Sequence, residues 1–172
     1  MPDLSGEIAL ITGGSRGIGL AIARVFAGAG ARVMITARTG VDEAAASLGE
    51  NCAGVVCDVA DYAAVCAAVQ VTEARLGAPT ILINNAGVIG DVYKRQLGIR
   101  CYGFAPGTVD TDMQVKIRAS GVNMISQIPR ENLGGVEPPA RIIAYLASDE
   151  ANDLAGEELA IQDESLRARA GL

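Results

Sequence analysis

The chain has 172 residues, enough for one domain with its own core; half of them are hydrophobic and the mean hydropathy is +0.30, which excludes a chain too polar to collapse. Two Phe, four Tyr and no Trp make that core aliphatic and Ala-rich, and 21 glycines without a three-residue period exclude collagen. Acidic residues outnumber basic ones 20 to 14, a net charge of −6 that disfavours sequence-independent nucleic-acid binding, and the absence of His removes the commonest metal ligand and general base.

The first 90 residues alternate strand-like and helix-like segments. Glu7 to Thr12 (EIALIT) is a short apolar run between glycines and reads as a buried parallel strand. Ile18, Ile22, Val25 and Phe26 then recur at helical spacing, and Gly28 and Gly30 close that helix. Arg32 to Ala37 is a second strand, and Val41 to Leu48 is rich in helix-forming Ala and Glu. Gly54 to Cys57 is a third strand. Asp61 stands as the N-cap of a helix that carries Val65, Val69 and Leu76 and ends at Gly77. Ile81 to Ile83 is a fourth strand. Such alternation at short spacing predicts right-handed crossovers and a parallel sheet.

After Gly90 the rhythm breaks. Residues 91–98 (DVYKRQLG) have no clear period, and a strand is expected over Ile99 to Ala105, ending at Pro106-Gly107. Residues 108–136 are irregular, with a helical tendency around Met113 to Arg118. Pro138 or Pro139 opens another helix, with Ile142, Ile143, Leu146 and Ala147 on its apolar face. Leu159 to Ile161 is a last strand, and the charged tail 164–172 is expected to fray. No apolar run reaches the length of a membrane span. Asp3 follows Met1 closely, leaving no basic leader, and the four Cys (52, 57, 66, 101) form no C-x-x-C pair. They read as reduced core residues of a cytoplasmic protein.

The segment Thr12-Gly13-Gly14-Ser15-Arg16-Gly17-Ile18-Gly19 lies between the first strand and the first helix. Small residues belong there because the strand must turn sharply, the backbone must approach a ligand closely and the helix must pack on the strand. The N–H groups of the helix start then favour an anionic pyrophosphate. The alternative is a glycine-rich turn without a ligand. Here the chain resembles the short-chain dehydrogenase/reductase family. The resemblance rests on TGGSRGIG at 12–19, CDV at 57–59, NNAG at 84–87, APGTVDTDM at 105–113 and YLASDEA at 145–151. It implies an α/β fold: a doubly wound, three-layer Rossmann-like parallel sheet forming one NAD(P)-binding domain over residues 1–172. It also implies hydride transfer between NAD(P) and a small carbonyl or alcohol, in a homo-oligomer that binds neither nucleic acid nor membrane.

An NAD site of this kind holds an acid at the end of the second strand, to bond the ribose 2′-hydroxyl. Here the residues are Thr36-Ala37-Arg38. Arg38 is a fork donor suited to a 2′-phosphate, and Arg16 could reach the same group, so NADP is favoured over NAD. The alternative is two solvated surface arginines. The resemblance further makes Gly13, Ser15, Gly17, Ile18 and Gly19 the pyrophosphate turn. It makes Asp58 the adenine contact with Val59 beside it, and it places Asn85, Ala86 and Gly87 on the adenosine side, with one Asn tying strands together. Pro106, Gly107 and Thr111 take the nicotinamide loop. Alone, Asp58 reads equally as a helix cap, Asn-Gly as a turn and Pro-Gly as an ordinary bend.

The family's catalysis needs a Tyr acid/base with a Lys four residues later on the same helix face, so that the ammonium lowers the phenol pKa, and an upstream Ser. Four residues beyond Tyr62, Tyr93, Tyr102 and Tyr145 stand Cys66, Leu97, Pro106 and Asp149. Tyr93 and Lys94 are adjacent, and on a helix their side chains would diverge by about 100°. No catalytic residue is therefore assigned. Only residues 88–105 separate Gly87 from Pro106, where the family places a helix, a fifth strand and the Tyr/Lys helix. A contiguous block is absent, and DVYKRQ resembles a translated linker at the junction. Two functions follow: an NADP-dependent oxidoreductase lineage, inactive as this chain, or a non-catalytic dinucleotide-binding or interaction module. Without the fifth strand, the fourth must pair with the Ile99 strand or become an exposed apolar edge, with marginal stability and a tendency to aggregate.

Overall fold

The computed structural model describes residues 2–86, 100, 102–121 and 124–172. The chain divides into two compact units, Met1–Asp91 and Val92–Leu172. The junction segment 91–98 lies outside the described residues.

The first unit is an incomplete Rossmann-like layer structure. Its strands β1 (Ile8–Thr12), β2 (Arg32–Ala37), β3 (Cys52–Val56) and β4 (Ile81–Ile83) form one parallel sheet in the order β3-β2-β1-β4. Between them run α1 (Gly17–Gly28), α2 (Val41–Ala46) and α3 (Tyr62–Arg75). Of the apolar positions of α1 at helical spacing, Ile22, Val25 and Phe26 are buried, Ile22 and Phe26 completely, and Ile18 is partly buried; the helix packs on β1 and β2. Fully burying a side chain of that size contributes roughly 1.5–3 kcal/mol. Leu10, Met34 and Ala53 form a second cluster on the other face, where Val69 of α3 and Leu76 just after it cover part of it. Asp61 caps α3, its Oδ1 accepting from the Ala63 and Ala64 N–H groups at 2.9 and 3.4 Å. Boundaries shift from expectation: α2 stops at Ala46, β1 begins at Ile8, and β3 spans Cys52–Val56. The first follows from Ser47, whose Oγ donates to the Ala44 carbonyl and ends the turn.

Among the described residues β4 is bonded on one side only, to β1. The partner strand expected for it belongs to the second unit, and Leu82 of β4 is 53% accessible. An apolar edge templates pairing with other chains. Leu82→Lys is expected to suppress aggregation, seen as reduced light scattering on concentration. Because Leu82 is already half exposed, the cost in unfolding free energy should stay below about 1 kcal/mol.

The second unit holds β5 (Gly103–Ala105) and β6 (Glu158–Ala160), a parallel pair with Phe104 opposite Leu159. The strand expected from Ile99 is thus seen over its last three residues, while 99 and 101 lie outside the described residues. Helix α4 spans Asp112–Ser120, and 3-10 turns at Met124–Gln127 and Arg130–Asn132 fill the irregular stretch. Helix α5 (Glu137–Ala147) carries both prolines in its first turn, where no donor is needed. Its Ile142, Tyr145 and Leu146 pack with Ala151, Leu159 and Leu166.

The tail corrects one expectation. Residues Glu164–Arg169 form a helix, α6, instead of fraying. Asp163 caps it through the Leu166 N–H, and Leu166 is 2% exposed. Arg169 donates to both carboxylate oxygens of Asp153, at 2.8 and 2.7 Å, and lies 5.4 Å from the Tyr145 ring centre. The cysteines correct another: Cys57 is buried, but Cys52 and Cys66 are only partly so, because their segments run along sheet and helix margins. These three thiols are free. Among the described residues no helix is long and apolar enough to cross a membrane, and no cluster of metal-ligating side chains forms.

Candidate functional site

All four strands of the first unit are parallel, so their carboxyl ends share one edge. The register fixes this: Thr12 lies opposite Thr36, Ala37 opposite Val56 and Ile11 opposite Ile83. Along that edge stand the turn after β1, Arg38 after β2, Asp58 and Val59 after β3, and Asn85 and Ala86 after β4. Open α/β sheets bind ligands at such an edge.

The turn after β1 is compressed to the limit that glycine permits. Gly13 adopts φ +67°, and a Cβ on Gly19 would lie 2.3 Å from the Gly13 carbonyl oxygen and 2.6 Å from Asn85 Nδ2. Gly14 N–H donates to the Thr36 carbonyl at 3.0 Å, tying the turn to β2. Arg16, extended and exposed, is the N-cap residue of α1, so Ser15 lies in the turn and Gly17 and Ile18 in the first helical turn. That helix has no acidic residue in its first turn and no side-chain cap, which leaves the positive end of its dipole unneutralised by carboxylate.

A clasp between β1 and β4 completes this edge. Thr12 Oγ1 accepts from the backbone N–H groups of Asn85 and Ala86, both at 3.0 Å, and donates to the Ile83 carbonyl at 3.3 Å. Asn85 Nδ2 returns the link, donating to the carbonyls of Thr12 and Gly13 at 3.0 and 3.3 Å. Asn85 is therefore the strand-tying Asn. Thr12 is the residue that sequence reasoning missed; its only signal was its place at the strand end directly before the glycines.

Arg38 is exposed and makes no ion pair among the described residues. Asp58 does not cap α3, since Asp61 does; its Oδ1 accepts from Ala60 N–H at 3.0 Å and braces the turn that presents Val59. Cys57, just before, has its thiol pKa pushed up by burial and by the carboxylates of Asp58 and Asp61. Beneath the edge opens a largely aliphatic cavity of about 260 Å³, with Val59 and Ala86 among its lining residues. Thr36 also lines it, and the Thr36 hydroxyl is a buried side-chain polar atom without a partner among the described residues. Leaving such a group unpaired costs roughly 1–3 kcal/mol.

The remaining nucleotide residues divide in two. Pro106, Gly107 and Thr111 belong to the second unit, where Pro106-Gly107 follows β5 and Thr111 precedes α4. Gly87 lies outside the described residues, as do Tyr93 and Lys94. The other tyrosines are poorly placed for proton transfer. Tyr102 and Tyr145 donate their hydroxyls to the carbonyls of Ala151 and Glu150, each at 3.0 Å. Burial raises the Tyr102 pKa, and hydrogen bonding with Cys66 raises that of Tyr62, the opposite direction from what a phenol base at neutral pH requires.

A family model described as short chain dehydrogenase matches residues 7–97. The 3-oxoacyl-[acyl-carrier-protein] reductase FabG of Escherichia coli (strain K12) is 27% identical over 234 residues, covering 91% of this chain and 96% of the relative. The reductase of the same name from Vibrio harveyi is 44% identical over 91 residues, covering 52% of this chain and 37% of the relative. Oxidoreductase UcpA of Salmonella typhimurium (strain LT2) is 45% identical over 92 residues, covering 51% and 35%. The higher identities belong to alignments of about half the chain. A 234-residue alignment that draws on 91% of 172 residues leaves a long gap here, in keeping with an internal truncation.

Proposed function

Because the chain belongs to the short chain dehydrogenase family, we propose that it binds NADP(H) through its first unit and does not itself transfer hydride. The observation that carries this reading is the compressed turn Thr12–Gly19, held against β4 by the Thr12–Asn85 clasp at the shared edge of the strands. Such a turn suits a pyrophosphate, because close backbone approach and the positive helix end act together. Gly13, Ser15, Arg16, Gly17, Ile18 and Gly19 would hold it. Arg38 would take the 2′-phosphate, with Arg16 assisting. Asp58, Val59, Asn85 and Ala86, with Gly87, would bound the adenosine. Bound nicotinamide would supply the hydride. This chain offers no Tyr-x-x-x-Lys pair to move the accompanying proton to or from a carbonyl or alcohol substrate. The reading of a reductase lineage acting on a small carbonyl compound in the cytoplasm, and formerly in a homo-oligomer, rests on the family alone.

Equilibrium binding of NADPH and NADH, run beside NADPH oxidation with a panel of ketones, tests it. The expected result is NADPH retained at least about tenfold more tightly than NADH, as a charge-assisted contact to the 2′-phosphate implies, with no oxidation above buffer. Arg38→Asp should reverse the preference. Catalysed oxidation would overturn the inactive reading, and failure to retain either nucleotide would overturn the binding reading.

A further inference from the structure

The polar groups around the cavity beneath the strand ends differ in what they still need. Its lining includes Thr12, Thr36 and Asn84 together with Val59 and Ala86 of the adenosine side. Thr12 and Thr36 are register partners on neighbouring parallel strands, so their side chains share one face of the sheet. A Cβ on Gly14 would strike Ile35, which turns Ile35 toward the start of α1 and its neighbour Thr36 toward the α3 face. The Thr12 hydroxyl accepts from the Asn85 and Ala86 N–H groups and donates to the Ile83 carbonyl. Asn84 is exposed, so water reaches its amide. Thr36 is 1% exposed, and among the described residues its Oγ1 has no partner. Neither the protein nor the solvent meets that demand.

The rest of the lining is mostly aliphatic, with Leu10 and Leu82 from the sheet and Val65 and Val69 from α3. Such walls suit the faces of a flat ring and offer nothing to the polar atoms at its edge. A dry aliphatic cavity of about 150 Å³ holds a benzene ring, and this one, at about 260 Å³, takes the two fused rings of a purine. Threonine has more than one staggered χ1 well, and one step between them carries the hydroxyl from its buried position to the edge of a ring seated there. Valine would fill the same strand position with the same shape and no unpaired group, so the hydroxyl has no structural reason in the nucleotide-free chain.

We infer that Thr36 anchors the adenine base of the bound nucleotide, its hydroxyl bonding a nitrogen at the edge of the purine. A hydroxyl both donates and accepts, so it serves a ring nitrogen or the exocyclic amine. The inference rests on the NADP(H)-binding reading and adds a base-positioning residue to the glycine turn and Arg38, whose proposed partners are phosphates. Its signature is a pair of effects of opposite sign. Removing the hydroxyl takes an unpaired buried group out of the free chain and a bond out of the complex.

The test compares the full chain with Thr36→Val and Thr36→Ser. Urea unfolding without nucleotide gives the midpoint. Calorimetric titration gives the affinities for NADPH and for adenosine 2′,5′-bisphosphate, which carries the base and the 2′-phosphate without nicotinamide. Thr36→Val should keep a midpoint at or above that of the parent and bind both ligands about tenfold more weakly, the effect of one buried hydrogen bond. Thr36→Ser keeps the oxygen and should stay within about threefold of the parent. Parent-like affinity in Thr36→Val overturns the inference, as does a lowered midpoint in that variant or an equal loss in Thr36→Ser. Failure of the parent to bind NADPH overturns the nucleotide reading and this one with it, whereas a parent that binds beside an unaffected Thr36→Val overturns this one alone.

Discussion

Gly19→Ala is expected to reduce NADPH affinity by at least about 100-fold, which is roughly 2.7 kcal/mol of binding free energy. The added methyl would sit 2.3 Å from the Gly13 carbonyl oxygen and 2.6 Å from Asn85 Nδ2. The first of these atoms is backbone, so no side-chain rotation relieves the clash, and the turn must open. Opening it displaces the N–H groups of the first helical turn that would face the pyrophosphate, and strains the Asn85 bonds to Thr12 and Gly13. Gly28, at the other end of the same helix, is the control. A Cβ there meets nothing within 4 Å, and Gly28→Ala should raise stability by about 0.5–1 kcal/mol with NADPH affinity unchanged. Fluorescence titration of the two variants, beside their urea unfolding curves, makes the comparison. Parent-like affinity in Gly19→Ala would show that the turn does not hold the nucleotide.

Thr12→Val should destabilise the first unit by about 1–3 kcal/mol while barely changing side-chain volume. The hydroxyl it removes accepts from two backbone N–H groups and donates to a carbonyl. Valine leaves the Asn85 and Ala86 amides unpaired in a partly buried place, and that desolvation, more than the lost bonds, sets the cost. Thr12→Ser should restore most of the loss, since the oxygen is the working atom. The unfolding midpoint in urea distinguishes the cases, and a parent-like midpoint for Thr12→Val would remove the clasp from the account of how this edge is held. NADPH binding should weaken in parallel, because Asn85 and Ala86 lose their anchor to the turn.

These two positions illustrate how differently a sequence reports its structure. Gly19 was legible because its requirement is local: a sharp strand-to-helix turn admits few residue types, and the glycine spacing exposes it. The strands were legible for a similar reason, since β2 and β4 are short aliphatic runs punctuated by turn residues, and both appear with the expected limits. Asp61 announced α3 by the same local logic of an N-cap. Thr12 was not legible, because its bonds go to residues more than 70 positions away, and any β-branched residue fits the strand pattern. The tail misled for the opposite reason. Its charges suggested fraying, but Leu166 finds a hydrophobic cluster and Arg169 finds Asp153, partners that no local window contains.

The amino-acid sequence by itself determined the parallel α/β order, the glycine turn and the lack of a Tyr-x-x-x-Lys pair, each a matter of residue type at short spacing. Only the tertiary structure decided that, among the described residues, β4 pairs on one side only and Thr36 keeps a buried hydroxyl unpaired, and that Asp58 braces a turn while Asp61 caps the helix. The reason is physical. Local conformation follows from backbone sterics and from side chains a few residues apart, whereas burial and hydrogen-bond satisfaction depend on which distant segments the fold brings alongside.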